Sequence, residues 1–266
     1  MTPVHVTGLA LWTPGYASLG AWAKGEHDDK VVDCACAWVP ARLLRGASRF
    51  TRMLGEAADQ ATRDANGDPK TIATVYGSDY GEIETMVVLL DTIFRGDGQL
   101  SPMRFKNSVH NASSGLCSIG QGNQSFSTAL AAGKRTFEAS MLEAMALLEE
   151  RGGSVVVSIA DDVLPEPLLK LEGWEALAIG IVLSREAPAE SVIGTLSNLS
   201  VDEASTARAT SFRGRPLSPR LLSTTSAAAL PLFDALIDRE AGRYALAPGE
   251  PDALAVTLTP GARTAV

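Results

Sequence analysis

Val155-Val156-Val157-Ser158-Ile159-Ala160 is an apolar run without alternation, the pattern of a strand buried on both faces of a sheet. A second run, Leu177-Ala178-Ile179-Gly180-Ile181-Val182-Leu183-Ser184, repeats it a short distance on. Just upstream, between Phe137 and Arg151, Met141, Leu142, Met145, Leu147 and Leu148 recur at helical spacing. Helix then strand, repeated along the chain, implies a layered α/β architecture, and the doubly buried pattern predicts a mostly parallel sheet.

Nearer the N-terminus, Val4 to Leu11 alternates weakly and stops at Thr13-Pro14-Gly15, which predicts a first strand and turn. Helices are expected over 41–66 (one or two), 82–94 and 112–120, and strands over 71–76 and 125–130. Residues 200–225, rich in Ser, Thr and Arg, read as a long loop, followed by a closing helix over 227–239. A terminal hairpin is expected around Pro248-Gly249, pairing 243–247 with 253–258.

The net charge of −8 argues against a general nucleic-acid binder, which needs a basic surface to displace counterions from phosphate. No apolar stretch is long enough to span a membrane, and the N-terminus lacks the basic start and apolar run of a signal peptide. The cysteines, Cys34, Cys36 and Cys117, are sparse and odd in number, as suits a reducing cytoplasm.

Little in the chain offers chemistry. His5 lies in the first strand, where a sheet role is expected, and His27 lies in a charged loop expected to be solvated. Neither histidine has metal-ligand spacing, so neither a metal nor a cofactor is expected. His110 and Cys117 would lie two helical turns apart, about 10 Å, too far for a hydrogen-bonded nucleophile pair. Asp161 and Asp162 are adjacent, so their side chains diverge, and a turn or cap role is expected rather than a carboxylate pair.

Several blocks resemble β-ketoacyl synthases. Val4-His5-Val6-Thr7-Gly8, Thr13-Pro14-Gly15, Trp22 and Gly25 resemble the opening of such an enzyme. Ala47 to Ala61, with Phe50 and Gln60-Ala61, is similar to the helix after its first basic patch. Ser101 to Gly122, with Asn111 and Gly115, is similar to its tunnel-lining helix, and Ser125 to Ser158 to the unit carrying the nucleophile. Overall the chain most resembles the short chain length factors of aryl polyene and related type II polyketide systems. Ser101-Pro102, Arg104-Phe105, Ser108-Val109-His110-Asn111, Gly115-Leu116, Ser127 to Gly133 and Glu240 to Arg243 carry that likeness.

The resemblance implies a thiolase-like layered α-β-α fold, shortened in its second half. It implies one domain over 1–266, in which 1–185 matches the ketosynthase N-terminal half and 186–266 is a short divergent remainder. It implies a cytoplasmic heterodimer with an active ketosynthase, condensing malonyl units on an acyl carrier protein whose phosphopantetheine holds the acyl chain. Alignment without gaps places Lys134 where active enzymes keep a nucleophilic cysteine. No cysteine follows Ser118 and no histidine follows His110, so catalysis is not expected. An ordinary surface Lys134 would pair with Glu138, four residues on. The resemblance assigns the subunit interface to Ser125, Phe126, Ser127, Thr128, Ala129 and Leu130. It assigns a tunnel wall to Val109, Ala112, Ser113 and Leu116. Arg42, Arg45, Arg49 and Arg52, spaced 3, 4 and 3, would share one helix face. That stripe is a candidate dock for the acidic carrier. Two alternatives stay open: a stand-alone acyltransferase with an unusual nucleophile, Cys117 being the one plausible thiol, and a non-catalytic homodimeric scaffold.

Overall fold

The computed structural model describes residues 2–96, 98–169, 173–201, 211–212 and 215–266. Along the chain come β1 (Val4–Trp12), α1 (Leu19–Lys24), α2 (Ala41–Leu44), α3 (Arg49–Asp64), β2 (Ala73–Gly77) and α4 (Ile83–Arg95). Then follow α5 (Pro102–Asn107), α6 (Ala112–Gln121), β3 (Ser127–Leu130), α7 (Thr136–Arg151), β4 (Ser154–Asp161), α8 (Glu166–Leu169) and β5 (Leu177–Ser184). The remainder comprises β6 (Gly194–Val201), β7 (Ser211–Phe212), β8 (Arg215–Pro216), α9 (Pro219–Ser223), α10 (Leu230–Asp238), β9 (Gly242–Ala245) and β10 (Leu254–Pro260).

Eight strands form one sheet in the order β3-β2-β4-β5-β1-β6-β10-β9. Only β2–β3 and β2–β4 run parallel; every other pairing is antiparallel, so the expected mostly parallel sheet is corrected. Parallel neighbours need a crossover that returns the chain to its starting end. Helices α4 to α6 supply one between β2 and β3, and α7 supplies the other before β4. Between β4 and β5 the described chain holds only the single turn α8, and β5 comes back antiparallel. The apolar runs of β4 and β5 therefore report burial on two faces, not strand direction.

Those two faces differ in kind. On one, α7 and α10 pack Phe137, Met141, Leu232 and Phe233 over Leu11, Val157, Ile159 and Ile179. On the other, α3 lies over Ala10, Val156, Ala178 and Val182 with a ladder of small residues, Ala57, Ala58 and Ala61. Two glycines permit this approach. A Cβ at Gly8 would lie 2.2 Å from the Ala61 carbonyl oxygen, and one at Gly180 would lie 2.3 Å from that of Ala57. Polar bonds pin the contact: Ser158 Oγ donates to the Leu54 carbonyl at 2.7 Å, and the Leu9 amide donates to Asp64 Oδ2 at 2.9 Å.

The terminal hairpin forms as expected, with Tyr244 opposite Val256. Strand β6 was not expected. Its sequence, Gly-Thr-Leu-Ser-Asn-Leu-Ser-Val, is small and polar at most positions, with Leu196 fully buried. The expected 200–225 loop is entered by β6 and left through α9, and its residues 202–210 and 213–214 lie outside the described ones.

Asp161, at the end of β4, turns inward while Asp162 turns out to Arg49 at 3.5 Å, so the two carboxylates diverge as expected. Fully buried, Asp161 accepts from Ser78 Oγ (3.2 Å), the Asp79 amide (2.9 Å) and the Ser226 amide (2.9 Å). It thereby ties β2, β4 and the 3-10 turn Thr225–Ala229 together. Burial pushes its carboxyl up to about 7, against the pull of the two amides and the hydroxyl.

Two predictions follow from this packing. Gly180→Val should cost about 3 kcal/mol or more by overpacking against α3. Gly115→Ala, where an added Cβ meets nothing within 4 Å, should be neutral or slightly stabilising. Urea unfolding checks both, and similar costs at the two sites would contradict the packing account. For Asp161, the folded state keeps a proton that the unfolded chain loses above about pH 4. Its contribution is therefore most favourable below that pH and declines until about pH 7. Wild type should lose stability relative to Asp161→Asn between about pH 5 and pH 7; parallel stability profiles would contradict it.

Candidate functional site

The turn joining β3 to α7 is Ala131-Ala132-Gly133-Lys134-Arg135, the last three residues forming a 3-10 turn. A side chain here sits at the amino end of a sixteen-residue helix, where the dipole would favour a thiolate. The turn carries no thiol, hydroxyl or imidazole. Thr136, the first residue of α7, spends its hydroxyl inside the turn, donating to the Gly133 carbonyl at 2.7 Å and accepting from the Ala132 amide at 3.1 Å.

Lys134 is 58% exposed at its side chain, and its ammonium lies 4.0 Å from Glu250 Oε1. The expected Lys134–Glu138 pair does not form, because Lys134 belongs to the 3-10 turn and not to the α-helical spacing of α7. Arg135 takes Glu138 instead, Nη1 to Oε1 at 2.7 Å, and the second Glu138 oxygen accepts from the Leu254 amide at 2.6 Å. Beside Lys134 is a cavity of about 20 Å³, also lined by Thr224, Thr225 and Pro248, with room for roughly one water.

No cysteine lies at this turn. Cys34, Cys36 and Cys117 are all buried. Burial pushes the Cys117 thiol up to about 12, although the neighbouring Tyr76 hydroxyl pulls the other way. Cys34 is pushed far above the ordinary thiol range, by burial first and then by Cys36. Histidine chemistry is equally thin. His5 Nδ1 lies 3.0 Å from Thr195 Oγ1 across the β1–β6 pair, the sheet role expected. His110 Nε2 lies 3.3 Å from the Ser78 carbonyl. The imidazole of His27 is half exposed but packs over Gly15 and meets the Tyr16 ring edge-on at 5.1 Å. Among the described residues no group of three or more His, Cys, Asp or Glu could hold a metal ion.

The surface around β3 is open. This strand is at one end of the sheet and, among the described residues, pairs with β2 alone. Residues Ser127 to Leu130 form it, while Ser125 and Phe126 precede it: Ser125 Oγ donates to the Thr71 carbonyl at 2.8 Å, and Phe126 packs under Arg151. Close by in the chain, α4 to α6 present a large apolar face. Of sixteen exposed large apolar side chains among the described residues, eleven fall between Tyr80 and Ile119. Phe94 is 84% exposed, Ile119 69% and Phe105 65%. Only Leu89 of α4 is buried. Sequence reasoning missed this face, although a signal existed: Met86 to Leu90, then Ile93 and Phe94, are apolar on every side of the helix.

The segment expected to line a tunnel is divided. Helix α6 starts at Ala112, so Val109 precedes it, half exposed. Ala112 and Leu116 are partly buried. Ser113 is buried, bonded to Glu82 Oε1 and Thr51 Oγ1, both at 2.8 Å, so its hydroxyl faces α3 and Glu82. The arginine stripe is also corrected. Gly46 and Ala47 interrupt the helix, Ser48 caps α3 by accepting from the Thr51 amide at 2.9 Å, and the four residues do not lie on one helix. Arg49 pairs with Asp162 and Arg52 with Asp33. Arg42 and Arg45 are exposed and make no ion pair among the described residues.

No curated protein is significantly similar in sequence to the chain. Solved structures share its fold. The ketosynthase ApeO in complex with its chain length factor ApeC, from Xenorhabdus doucetiae, matches with TM-score 0.69 at 18% identity, over 97% of this chain and 100% of the other. The ishigamide ketosynthase/chain length factor matches with TM-score 0.67 at 15% identity, over 97% and 99%. A β-ketoacyl synthase from Burkholderia phymatum STM815 matches with TM-score 0.60 at 13% identity, over 88% and 71%. The family model of the β-ketoacyl synthase N-terminal domain matches residues 20–230. With most of its length inside that match, the chain belongs to the β-ketoacyl synthase N-terminal domain family.

Proposed function

We propose that the chain is a chain length factor: a non-catalytic subunit that pairs with an active β-ketoacyl synthase and helps it extend a polyene, of the aryl polyene kind, on an acyl carrier protein. The observation that carries this reading is the thiol-free turn in a chain of ketosynthase descent. A thioester must be attacked by a group that later releases the acyl chain. Lys134 would form a stable amide, and the Cys117 thiol is buried and protonated near neutral pH. The stand-alone acyltransferase reading thereby loses its one thiol.

The surface supports a partnership. An unpaired sheet edge next to a broad apolar face is costly in water and invites another chain. We assign Ser127 to Leu130 and the exposed side chains of α4 to α6 to the face that meets the ketosynthase. Val109, Ala112 and Leu116 remain as this chain's contribution to a tunnel wall shared with the partner; Ser113 does not. No helix among the described residues is long and apolar enough to cross a membrane. The work is assigned to the cytoplasm with the carrier protein.

Intact-mass analysis of the co-purified complex after incubation with an acyl thioester tests the reading. The acyl mass should appear on the ketosynthase alone. Condensation by the complex should stay within about threefold, under 0.7 kcal/mol, in Lys134→Ala. An acyl adduct on this chain, or a tenfold loss in an assembled Lys134→Ala complex, would overturn the non-catalytic assignment.

A further inference from the structure

Trp38 is clamped between two helices. A Cβ at Gly55 of α3 would lie 2.1 Å from its Cζ2, and one at Gly120 of α6 would lie 2.9 Å from its Cζ3. Neither glycine has a positive φ, so the bare backbone there serves to admit the indole. A ring held this tightly cannot turn, yet its Nε1–H has no hydrogen-bond partner among the described residues. Asp59, one turn after Gly55 on α3, has the complementary fault. Its Oδ2 accepts from Arg63 Nε at 2.7 Å, while its Oδ1 is buried without a partner among the described residues. Trp38 is 9% exposed and Asp59 7%. Both line one groove of about 270 Å³, together with Arg63, Asp68, Pro69 and Lys70 and the end of α6 at Gly120. The Pro69 wall is fixed, because Asn123 Nδ2, just past α6, donates to the Pro69 carbonyl at 2.8 Å and the Ile72 carbonyl at 2.9 Å.

Buried donors and acceptors are nearly always paired, and an orphan of either kind costs free energy. An orphan donor and an orphan acceptor in one groove call for an outside group that supplies both complements. A peptide backbone does so, with one N–H and one C=O per residue. The charges favour that neutral group over an ion, since Asp59 and Asp68 are matched by Arg63 and Lys70 on the same walls. The groove also falls below the roughly 300 to 1,000 Å³ of a small-molecule pocket, which favours a strip of main chain. Its position names the source. It begins at the end of α6, beside Ile119, which is 69% exposed on the face assigned to the ketosynthase. Its Pro69 wall leads through Thr71, bonded to Ser125, to the edge strand β3. We propose that main chain of the ketosynthase partner enters this groove, an N–H donating to Asp59 Oδ1 and a carbonyl accepting from Trp38 Nε1. The inference rests on the reading of the chain as a ketosynthase partner and gives its apolar face a polar anchor. Neither orphan atom touches solvent in the chain alone, so entry moves a rim side chain; Arg63, 65% exposed, swings aside.

The test uses the full chain, alone and assembled with an active ketosynthase. The first readout is the indole N–H resonance of Trp38, identified by its loss in Trp38→Phe. Assembly should move that resonance to lower field, while the resonance of Trp12, buried in the core, stays in place. The second readout is affinity for the ketosynthase. Asp59→Asn keeps the shape of the side chain and leaves an oxygen for Arg63, so its amide nitrogen meets the incoming N–H. Heterodimer affinity should fall by about tenfold or more in Asp59→Asn, and by about threefold or more in Trp38→Phe. The urea midpoint of the Asp59→Asn chain alone should barely move, since Oδ1 bonds nothing there. Lys70→Ala, on the exposed rim, should change affinity by less than about twofold. A Trp38 resonance unmoved by assembly, or an assembled complex indifferent to both substitutions, would overturn this inference alone. A loss of stability in the Asp59→Asn chain as large as its loss of affinity would show that Oδ1 is already satisfied, and would overturn it too. Failure of the unmutated chain to pair with the ketosynthase would overturn the functional reading itself, and the anchor with it.

Discussion

Contact between α3 and the bare backbone of the sheet at Gly8 and Gly180 sets the geometry of everything around it. A side chain at either glycine would push the helix away, and the Ala57, Ala58 and Ala61 ladder would no longer meet the strands. Helix α3 in turn organises the neighbouring layer. Its Thr51 donates to Glu82 Oε1 at 2.6 Å, and the Thr51 carbonyl faces the Cys117 thiol of α6 at 3.9 Å. Glu82, next to the start of α4, is buried and receives hydroxyls from α3, α4 and α6 as well as from Ser48. Removing one donor from such a centre leaves its cost largely in place, so the network holds these helices in one arrangement.

The ordinary distribution of polarity is partly inverted. Carboxylates of Glu82 and Asp161 lie inside, while Phe94, Met103, Phe105 and Ile119 lie outside. Internal carboxylates are tolerable because each has several donors. Among the described residues nothing comparable offsets the external apolar side chains. Covering each one is worth about 1.5 to 3 kcal/mol. A partner that covers several at once supplies an amount comparable to the whole stability of a typical small domain. This arrangement fits the proposed role, in which the chain contributes surface and shape to a partner.

Much of this was legible in the sequence, for identifiable reasons. β4 and β5 were plain because Val155 to Ala160 and Leu177 to Ser184 are apolar almost throughout, and the lack of a thiol in the β3–α7 turn was plain because no cysteine follows Ser118. Strand direction was not legible, since burial on two faces looks the same in parallel and antiparallel strands. β6 was missed because small polar residues mask the inward-facing Leu196. The arginine stripe failed for a local reason: spacing alone ignored Gly46 and the capping Ser48, which end one helix and begin another. The acids that neutralise Arg49 and Arg52 are distant in sequence, at Asp162 and Asp33 respectively, and only the fold brings them together.

Partnership is decided by native mass spectrometry of this chain, purified alone and after co-expression with a cognate ketosynthase. A one-to-one heterodimer is expected after co-expression, with hydrogen exchange at β3 and α4 to α6 slowed relative to the chain alone. A chain that stays monomeric beside the ketosynthase, with exchange unchanged on that face, would contradict it.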